Sequence, residues 1–516
     1  MAPIQLPEPF WQAFPSLYSM NIQMKITINK PIIWLLTIII LTSTACEKLE
    51  ENPSSVIVSS QFFKTPSDAI SSVNAVYSSL NSDPNGDFPL YGRQLNLLVE
   101  NASDNQIFSP SNTNPDVRAL GVSTYIPSNS RILKVWQQLY YGINKANIAI
   151  DNIPGVAADT VLKNRLVREA KFTRGLLYFN LVRLYGDVPL VLHEPTSVNI
   201  EDLLVKRSPV AAVYQQIIAD LLDATSLPKS YGAADLGRAT SGAAHALLAK
   251  VYVTQKLWPN ALTELNTVIN GGYGYALFPN YKDVFQKATK NGIEHIFSVQ
   301  FESNLGAKNV VQNLSQSFTS FNTGTFPIDV PANKSVYELF SAADTRRETT
   351  FYDSVYNAAT GKYAVFKNAY TPYFNKFVDY TLTPLNTQAQ SGVNYPVIRY
   401  ADILLLYAEV VNNISGPTAD AYSAINKVRA RAKIADLTPG LTADAFRDSV
   451  FLERRKEFIQ EGHRWFDLVR QGGTVYVDAL KKFPEKSAVS SKNILFPIPQ
   501  SERELNTLLT QNPGYN

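Results

Sequence analysis

Through most of the chain after residue 61, apolar residues recur at the spacing of one face of an α-helix. The first such stretch follows Thr65-Pro66-Ser67-Asp68, which supplies an N-cap, a first-turn proline and an acidic third residue. Its apolar face comprises Ile70, Val73, Tyr77 and Leu80. The same pattern predicts three further helices: from Trp136 through Ile150 to a stop at Pro154, from Leu162 through Leu184 to a stop at Gly186, and from Ser208-Pro209 through Leu222 to a stop at Pro228.

Two segments predict antiparallel helix pairs of the tetratricopeptide kind. Residues 246–252 and 261–269 flank a turn at Trp258-Pro259 and place small and aromatic residues where two helices touch closely. Residues 400–409 and 424–429 repeat the arrangement. Because neither pair can bury its apolar face alone, each must stack against neighbours. The sequence therefore predicts an all-α dominated fold in which tetratricopeptide-like helix pairs form a curved scaffold.

The helical pattern is interrupted between residues 271 and 396, a stretch rich in Asn, Thr, Ser and aromatic residues. We interpret it as a loop-rich insertion with minor β structure, where binding groups tend to concentrate. Gly271-Gly272-Tyr273-Gly274-Tyr275 opens the insertion and predicts a turn that displays two aromatic rings. It is not a phosphate-binding loop, because it lacks both the GxGxxG spacing and a following Lys-Ser/Thr.

The amino-terminal region has the pattern of a lipoprotein signal peptide. Met24-Lys25 and Lys30 precede an apolar run from Ile32 to Leu41, which is shorter than the roughly 20 residues of a membrane-spanning helix. Small residues then lead to Cys46, the single cysteine. We expect residues 1–23 to be an over-extended gene start, residues 24–45 to be the signal peptide, and residues 46–60 to be a lipid anchor and tether.

Composition excludes several kinds of chemistry. The 516 residues carry a formal net charge of +3 without a basic block, so nucleic acid is not an expected partner. One cysteine and four isolated histidines provide little material for a zinc cluster, a disulfide framework or a Cys–His nucleophile pair. We therefore expect no catalytic residues, no bound metal and no cofactor.

Glu453 and Glu457 have a spacing that could serve catalysis. Side chains four residues apart on a helix lie about 5–6 Å apart at Cβ, and retaining glycosidases separate their two carboxyls by about 5–5.5 Å. However, the adjacent Arg454 and Arg455 favour the ionised carboxylate, whereas an acid catalyst needs a raised pKa. We interpret the segment as an ion-pair network packed on the core beside Phe458, with a glycosidase dyad as the alternative.

A series of short motifs runs along the chain after Cys46. In the first half they are Phe63-Lys64-Thr65, Val73-Asn74-Ala75-Val76-Tyr77, Glu169-Ala170-Lys171-Phe172-Thr173-Arg174 and Leu181-Val182-Arg183-Leu184-Tyr185-Gly186-Asp187-Val188-Pro189-Leu190. In the second half they are Ile398-Arg399-Tyr400-Ala401-Asp402, Glu453-Arg454-Arg455-Lys456-Glu457-Phe458, Gly462-His463-Arg464-Trp465-Phe466-Asp467-Leu468, Phe496-Pro497-Ile498-Pro499 and Asn512-Pro513-Gly514-Tyr515. Together, and in this order, they resemble the SusD/RagB family. In addition, Leu41 to Cys46 resembles the lipobox of bacterial lipoproteins.

The resemblance implies a domain organisation and a function. Residues 61–230 would form an N-terminal SusD-like helical region, 231–270 a tetratricopeptide-like pair, 271–396 the ligand-binding insertion and 397–516 a C-terminal RagB/SusD-like region. The chain would be lipid-anchored through an acylated Cys46 in the outer membrane and would face the extracellular side. There it would capture glycans, without cleaving them, for a SusC-like TonB-dependent transporter. The alternatives are a peptide-binding member of the family and a helical-repeat envelope scaffold without saccharide affinity.

Candidate ligand-binding residues are aromatic and polar side chains in predicted loops, because sugars offer apolar faces edged by hydroxyl groups. In the family, loops in similar places carry the ligand. The candidates are Asp87, Phe88, Tyr91, Arg93 and Asn96 after the opening helix, Tyr273 and Tyr275 at the start of the insertion, and Phe318, Phe321 and Asn322 within it.

Overall fold

The computed structural model describes residues 62–108, 112–197, 199–303, 309–311, 329–331, 334–357, 360–365, 372–382 and 391–515. The predicted signal peptide and anchor, including Cys46, lie outside the described residues. So do Phe318, Phe321 and Asn322 of the candidate ligand site.

Helices dominate the described residues. In chain order they are α1 (Pro66–Asn81), α2 (Leu95–Asn101), α3 (Pro115–Gly121), α4 (Ser130–Asn152), α5 (Thr160–Tyr185), α6 (Ile200–Leu203), α7 (Val210–Ala224), α8 (Ser241–Thr254), α9 (Trp258–Asn270), α10 (Lys334–Glu338), α11 (Arg346–Thr350), α12 (Tyr400–Ser415), α13 (Ala419–Arg431), α14 (Ala443–Glu457), α15 (Arg464–Gln471), α16 (Val475–Lys481) and α17 (Gln500–Leu505). The helices predicted from periodicity correspond to α1, α4, α5 and α7. The two predicted pairs correspond to α8–α9 and α12–α13.

Local sequence signals explain where these helices begin and end. At the start of α1, the Asp68 amide donates to Thr65 Oγ1 at 3.3 Å and the Thr65 amide donates to Asp68 Oδ2 at 2.7 Å, which completes a capping box. At the end of α5, Gly186 has a φ of +73°, which L-residues with a Cβ rarely adopt.

Close helix packing forms the core of the N-terminal half. Helix α5 contacts α4 and α7, and α8 contacts α9. At Gly142 of α4, a Cβ would lie 2.6 Å from Leu177 Cδ1 of α5 and 2.7 Å from Ser79 Oγ of α1. Glycine lets these three helices approach closely, since a Cβ would force the Leu177 and Ser79 side chains to move. Within the described residues, none of the helices is both long and apolar enough to cross a membrane.

The β structure consists of short antiparallel pairs. The strands are β1 (Gln106–Phe108), β2 (Val188–Pro189), β3 (Arg207–Ser208), β4 (His295–Val299), β5 (Asp329–Pro331), β6 (Phe351–Tyr352), β7 (Ser354–Asn357), β8 (Lys362–Val365), β9 (Tyr373–Phe374) and β10 (Tyr395–Arg399). They pair as β1–β5, β2–β3, β4–β10, β6–β9 and β7–β8. Since most of them lie in or beside residues 271–396, the predicted fold class of helices with minor β structure is confirmed.

Candidate functional site

The loop after α1 presents an aromatic ring and charged groups at the surface. Phe88 is 36% exposed, and the Arg93 guanidinium lies 3.4 Å from its ring centroid. Beside them, an Asp87 carboxylate oxygen lies 3.6 Å from the ammonium of Lys134 on α4. We call Asp87, Phe88 and Arg93 the Phe88–Arg93 surface. It combines an apolar face with groups that can hydrogen-bond to hydroxyls.

Contacts with the framework fix the conformation of this loop. The Gln138 amide on α4 donates to the Phe88 carbonyl at 2.8 Å and also to the Asp83 carboxylate. Gly92 has a φ of +94°, and a Cβ there would lie 2.8 Å from Phe301 Cζ. The Phe88–Arg93 surface is therefore supported on one side by α4 and on another by the chain that follows β4.

Two candidates from the same loop lie inside the protein. Tyr91 is only 4% exposed; its ring lies 5.7 Å from that of Tyr395, and its hydroxyl accepts a hydrogen bond from the Asn180 amide at 2.8 Å. Burial, opposed by the Asn180 hydrogen bond and the Arg183 charge, raises the pKa of Tyr91 to about 12. The buried Asn96 donates to the Gln460 carbonyl at 2.6 Å. These contacts are packing and hydrogen bonds within the fold.

Tyr273 and Tyr275 are partly buried and stack on each other. Their ring centroids lie 5.7 Å apart at an interplanar angle of 15°. Their hydroxyls lie 3.1 Å from Ser241 Oγ and 3.2 Å from Thr240 Oγ1 at the start of α8. The pair lines a cavity of 320 Å³. The turn is as predicted. However, the two rings pack against the first residues of α8 and are not fully exposed to solvent.

Two exposed tyrosines on the β7–β8 hairpin were not among the candidates predicted from the sequence. Tyr356 and Tyr363 face each other across the strands, with ring centroids 5.2 Å apart and 54% and 68% of their surfaces exposed. Alternation in these short strands places both rings on one face of the hairpin. The sequence does contain these two aromatic residues on either side of a short turn. However, the strand register that places them opposite each other is known only from the folded hairpin.

Glu453 and Glu457 are buried in an ion-pair network. Arg346 Nη1 lies 2.6 Å from Glu453 and 3.1 Å from Glu457, while Arg399 contacts Glu457 at 2.9 Å. Burial alone would raise the pKa of Glu457, but Arg431, Arg399 and Arg346 outweigh it, so that this pKa lies well below its ordinary value. Both carboxyls are buried, and the pKa of Glu457 is shifted in the direction opposite to the one an acid catalyst needs. The geometry supports the structural interpretation of this segment.

The network extends well beyond these two glutamates. We define the central ion-pair cluster as the buried acids Glu294, Asp344, Glu453, Glu457 and Glu461 with the basic residues Arg346, Lys376, Arg399, Arg429 and Arg431. It joins β4, α11, β10, α13 and α14, so it fastens the insertion to the C-terminal helices. Among the described residues, no group of three His, Cys, Asp or Glu side chains has an arrangement that could hold a metal ion.

Comparison with known proteins gives consistent matches over both halves of the chain. A family model described as "SusD family" matches residues 294–515, and one described as "Starch-binding associating with outer membrane" matches residues 49–253. A SusD-like protein P2 of Formosa agariphila is 28% identical over 508 residues, which cover 93% of this chain and 98% of the relative.

Solved structures match the fold as well. A SusD superfamily protein from Parabacteroides distasonis is 28% identical with a TM-score of 0.75, over 87% of this chain and 99% of that one. A laminarin-binding SusD-like protein is 26% identical with a TM-score of 0.72, over 88% of this chain and all of that one.

These matches bear on catalysis and location. One matching family model is described as starch-binding and one matching structure as laminarin-binding, and the chain is a binding protein and not an enzyme. The match over residues 49–253 supports an association with the outer membrane. Because the family models match residues 49–253 and 294–515, and a relative and a solved structure match nearly the whole described chain, the chain belongs to the SusD/RagB family.

Proposed function

We propose that this protein captures glycans at the cell surface and delivers them to a SusC-like TonB-dependent transporter in the outer membrane. A relative that is named for laminarin binding and a matching family described as starch-binding support a saccharide ligand. The protein binds the saccharide without cleaving it. Cys46, diacylated at its thiol before signal-peptide removal and acylated at its new amino terminus afterwards, holds the chain to the membrane on the extracellular side.

The Phe88–Arg93 surface is the observation that carries this proposal. A ring that is partly open to solvent offers an apolar face to the C–H groups of a pyranose. The Arg93 guanidinium and the Asp87 carboxylate next to it can donate to and accept from the hydroxyls at the edge of the sugar. Tyr356 and Tyr363 provide a second exposed aromatic surface, on the insertion. Tyr91 and Asn96 have no such access and act as the support.

Affinity electrophoresis and calorimetry of the form that begins at Glu47 test the proposal. The panel contains polysaccharides, oligosaccharides and peptides, and product release is scored alongside binding. We expect saccharide binding without cleavage. Phe88→Ala should weaken that binding about tenfold, corresponding to about 1.4 kcal/mol. Ile200→Ala, which removes a more solvent-exposed apolar side chain on α6, is the control and should leave binding unchanged.

The other outcomes distinguish the alternatives. Binding of peptides but not saccharides would identify a peptide-binding member of the family. Binding of neither class would favour an envelope scaffold. If the affinity falls in Tyr356→Ala and Tyr363→Ala but not in Phe88→Ala, the hairpin and not the Phe88–Arg93 surface is the contact site. Release of sugar products would contradict a non-catalytic role.

A further inference from the structure

A cavity of 70 Å³ lies between α5, α8, α15 and the loop after α1. Its volume exceeds several-fold the roughly 10–15 Å³ that a single water-sized particle requires. Its walls are unusually rich in basic groups. The side chains that matter here are Tyr91, Asn180, Arg183, Lys250, His463 and Arg470.

Most of the charges around this cavity neutralise one another in a closed set. Asp402 accepts from Lys250 through one carboxylate oxygen and from Arg454, at 2.7 Å, through the other. Asp467 accepts from Arg454 at 2.9 Å through Oδ2 and from Arg470 at 3.0 Å through Oδ1. Both carboxylate oxygens of Glu409 accept from Arg470. Three acids and three bases thus use every carboxylate oxygen.

The remaining groups on the cavity wall supply no unpaired negative charge. Glu461 also lines the cavity, but its two oxygens are engaged by Arg399 and Lys376 of the central ion-pair cluster. His463 stacks on Phe458 with ring centroids 4.4 Å apart. Burial lowers the pKa of His463 well below its ordinary value, and Lys250 lowers it further, so the ring is neutral at pH 7.

Arg183 is the basic group on the cavity wall that has no carboxylate partner among the described residues. Its guanidinium lies between two phenyl rings, 3.6 Å from the centroid of Phe179 and 3.8 Å from that of Phe466. At its edge, Nε donates to the Phe179 carbonyl at 2.9 Å and Nη2 donates to Asn180 Oδ1 at 2.7 Å. Within the described residues, no carboxylate forms an ion pair with it. Nη1 makes no hydrogen bond to these residues, and the side chain lines the cavity.

An uncompensated positive charge in a confined space is costly unless a counter-charge reaches it. We propose that the cavity binds one small monovalent anion of halide size, held at the free edge of Arg183 and by the ammonium of Lys250. Lys250 has donors to spare, because only one of its three N–H groups is directed at Asp402. Burial lowers the pKa of Lys250, and the charges of Arg454 and Arg183 lower it further against the effect of Asp402. An anion between Arg183 and Lys250 would relieve the repulsion between these two groups. The site is separate from the proposed glycan contacts and does not depend on them.

Diffraction from crystals of the wild-type protein grown in bromide is the direct test. An anomalous peak in the cavity, within hydrogen-bonding distance of Arg183 and Lys250, is expected. Density for ordered water alone, in crystals where bromide occupies surface positions, would overturn the proposal.

Thermal unfolding gives an independent measurement in solution. In sodium chloride against sodium gluconate at equal ionic strength, the wild-type Tm should rise by about 1–2 °C for each tenfold increase in chloride above Kd. Arg183→Met, which keeps a side chain between the two rings without the charge, should lose this response. Arg447→Met removes a surface arginine paired with Asp444 and should keep it. Equal chloride responses in all three proteins, or none in the wild type, would contradict the assignment. If Arg183→Met does not fold, the bromide crystals decide.

Discussion

Phe88 and Tyr91 are three positions apart in one loop, yet their side chains have opposite surroundings. Phe88 faces solvent with Arg93 against its ring, whereas Tyr91 packs on Tyr395 and receives a hydrogen bond from Asn180. Gly92, whose φ is +94°, follows Tyr91 directly and kinks the backbone there. Single substitutions in this loop should therefore separate stability from ligand binding.

We expect Tyr91→Ala to lower the free energy of unfolding by about 3–5 kcal/mol, because it leaves a cavity in the core and an unpaired Asn180 amide. Phe88→Ala should cost less than about 1 kcal/mol, mainly through loss of the contact with Arg93, while weakening glycan binding. Urea unfolding of both variants, followed by circular dichroism, measures the difference. Equal stabilities would mean that the two side chains do not differ in burial.

Glu100 on α2 provides a pH-dependent test at the same scale. Its carboxyl is buried and accepts the Gly462 amide at 2.8 Å. Burial raises its pKa to about 7, against the lowering effects of Gly462 and Lys376. The folded protein therefore holds this proton more tightly than the unfolded chain, whose glutamate pKa is about 4.3. The cost of ionising Glu100 is absent below about pH 4.3, grows up to about pH 7 and is constant above that.

Glu100→Gln removes this cost and keeps an acceptor for Gly462. We expect the variant to be more stable than the wild type at pH 8, by on the order of 3–4 kcal/mol, and the difference to vanish near pH 4.5. Guanidinium unfolding at pH 4.5, 6 and 8 measures it. Glu485→Gln, at an exposed position, is the control and should show no pH-dependent difference. A difference that is the same at every pH would exclude a titrating Glu100.

At the scale of elements, periodicity and end signals specify the helices, and buried charges hold them together. The Thr65–Asp68 capping box and the left-handed Gly186 act within a few residues, so the sequence alone reveals them. The central ion-pair cluster is different. Its members lie between residues 294 and 461, and only the folded chain brings Glu294 and Arg399 to 2.6 Å. The Glu453/Glu457 motif predicted ion pairs, but their partners on α11, β10 and α13 could not be identified beforehand.

Glu457 lies at the centre of this cluster. Glu457→Gln leaves Arg346, Arg399 and Arg431 without a shared carboxylate, so the free energy of unfolding should fall by about 3–5 kcal/mol. Because the pKa of Glu457 is lowered in the folded protein, its contribution is present above the unfolded pKa of about 4.3 and is lost as the pH falls further.

Denaturant unfolding at pH 7 and between pH 5 and 3 measures both effects. The wild type should lose stability over the acidic range more steeply than Glu457→Gln. Asp448→Asn, on the exposed side of the same helix, should match the wild type within about 0.5 kcal/mol at pH 7. A Glu457→Gln variant as stable as the Asp448→Asn control would show that the cluster does not hold these elements together.

At the scale of the whole molecule, the proposed location depends on one residue. Cys46→Ala should abolish incorporation of radiolabelled palmitate and move the protein from the outer-membrane fraction to the soluble one, because several acyl chains are needed for stable anchoring. Ser43→Ala, within the same segment, is the control and should retain the label. Labelling of Cys46→Ala would place the lipid elsewhere or exclude this mode of attachment.

The sequence by itself determined helices α1, α4, α5 and α7, the tetratricopeptide-like pairs and the family, because these depend on local periodicity, caps and short motifs. The tertiary structure decided which candidate residues reach solvent. It buried Tyr91 and Asn96, paired Tyr273 with Tyr275 against α8, and exposed Tyr356 and Tyr363 on a hairpin. Among the residues that the structure describes, it also left Arg183 without a carboxylate partner. The exposure and the charge balance of a residue depend on neighbours that are distant in the sequence. Only folding brings these neighbours together.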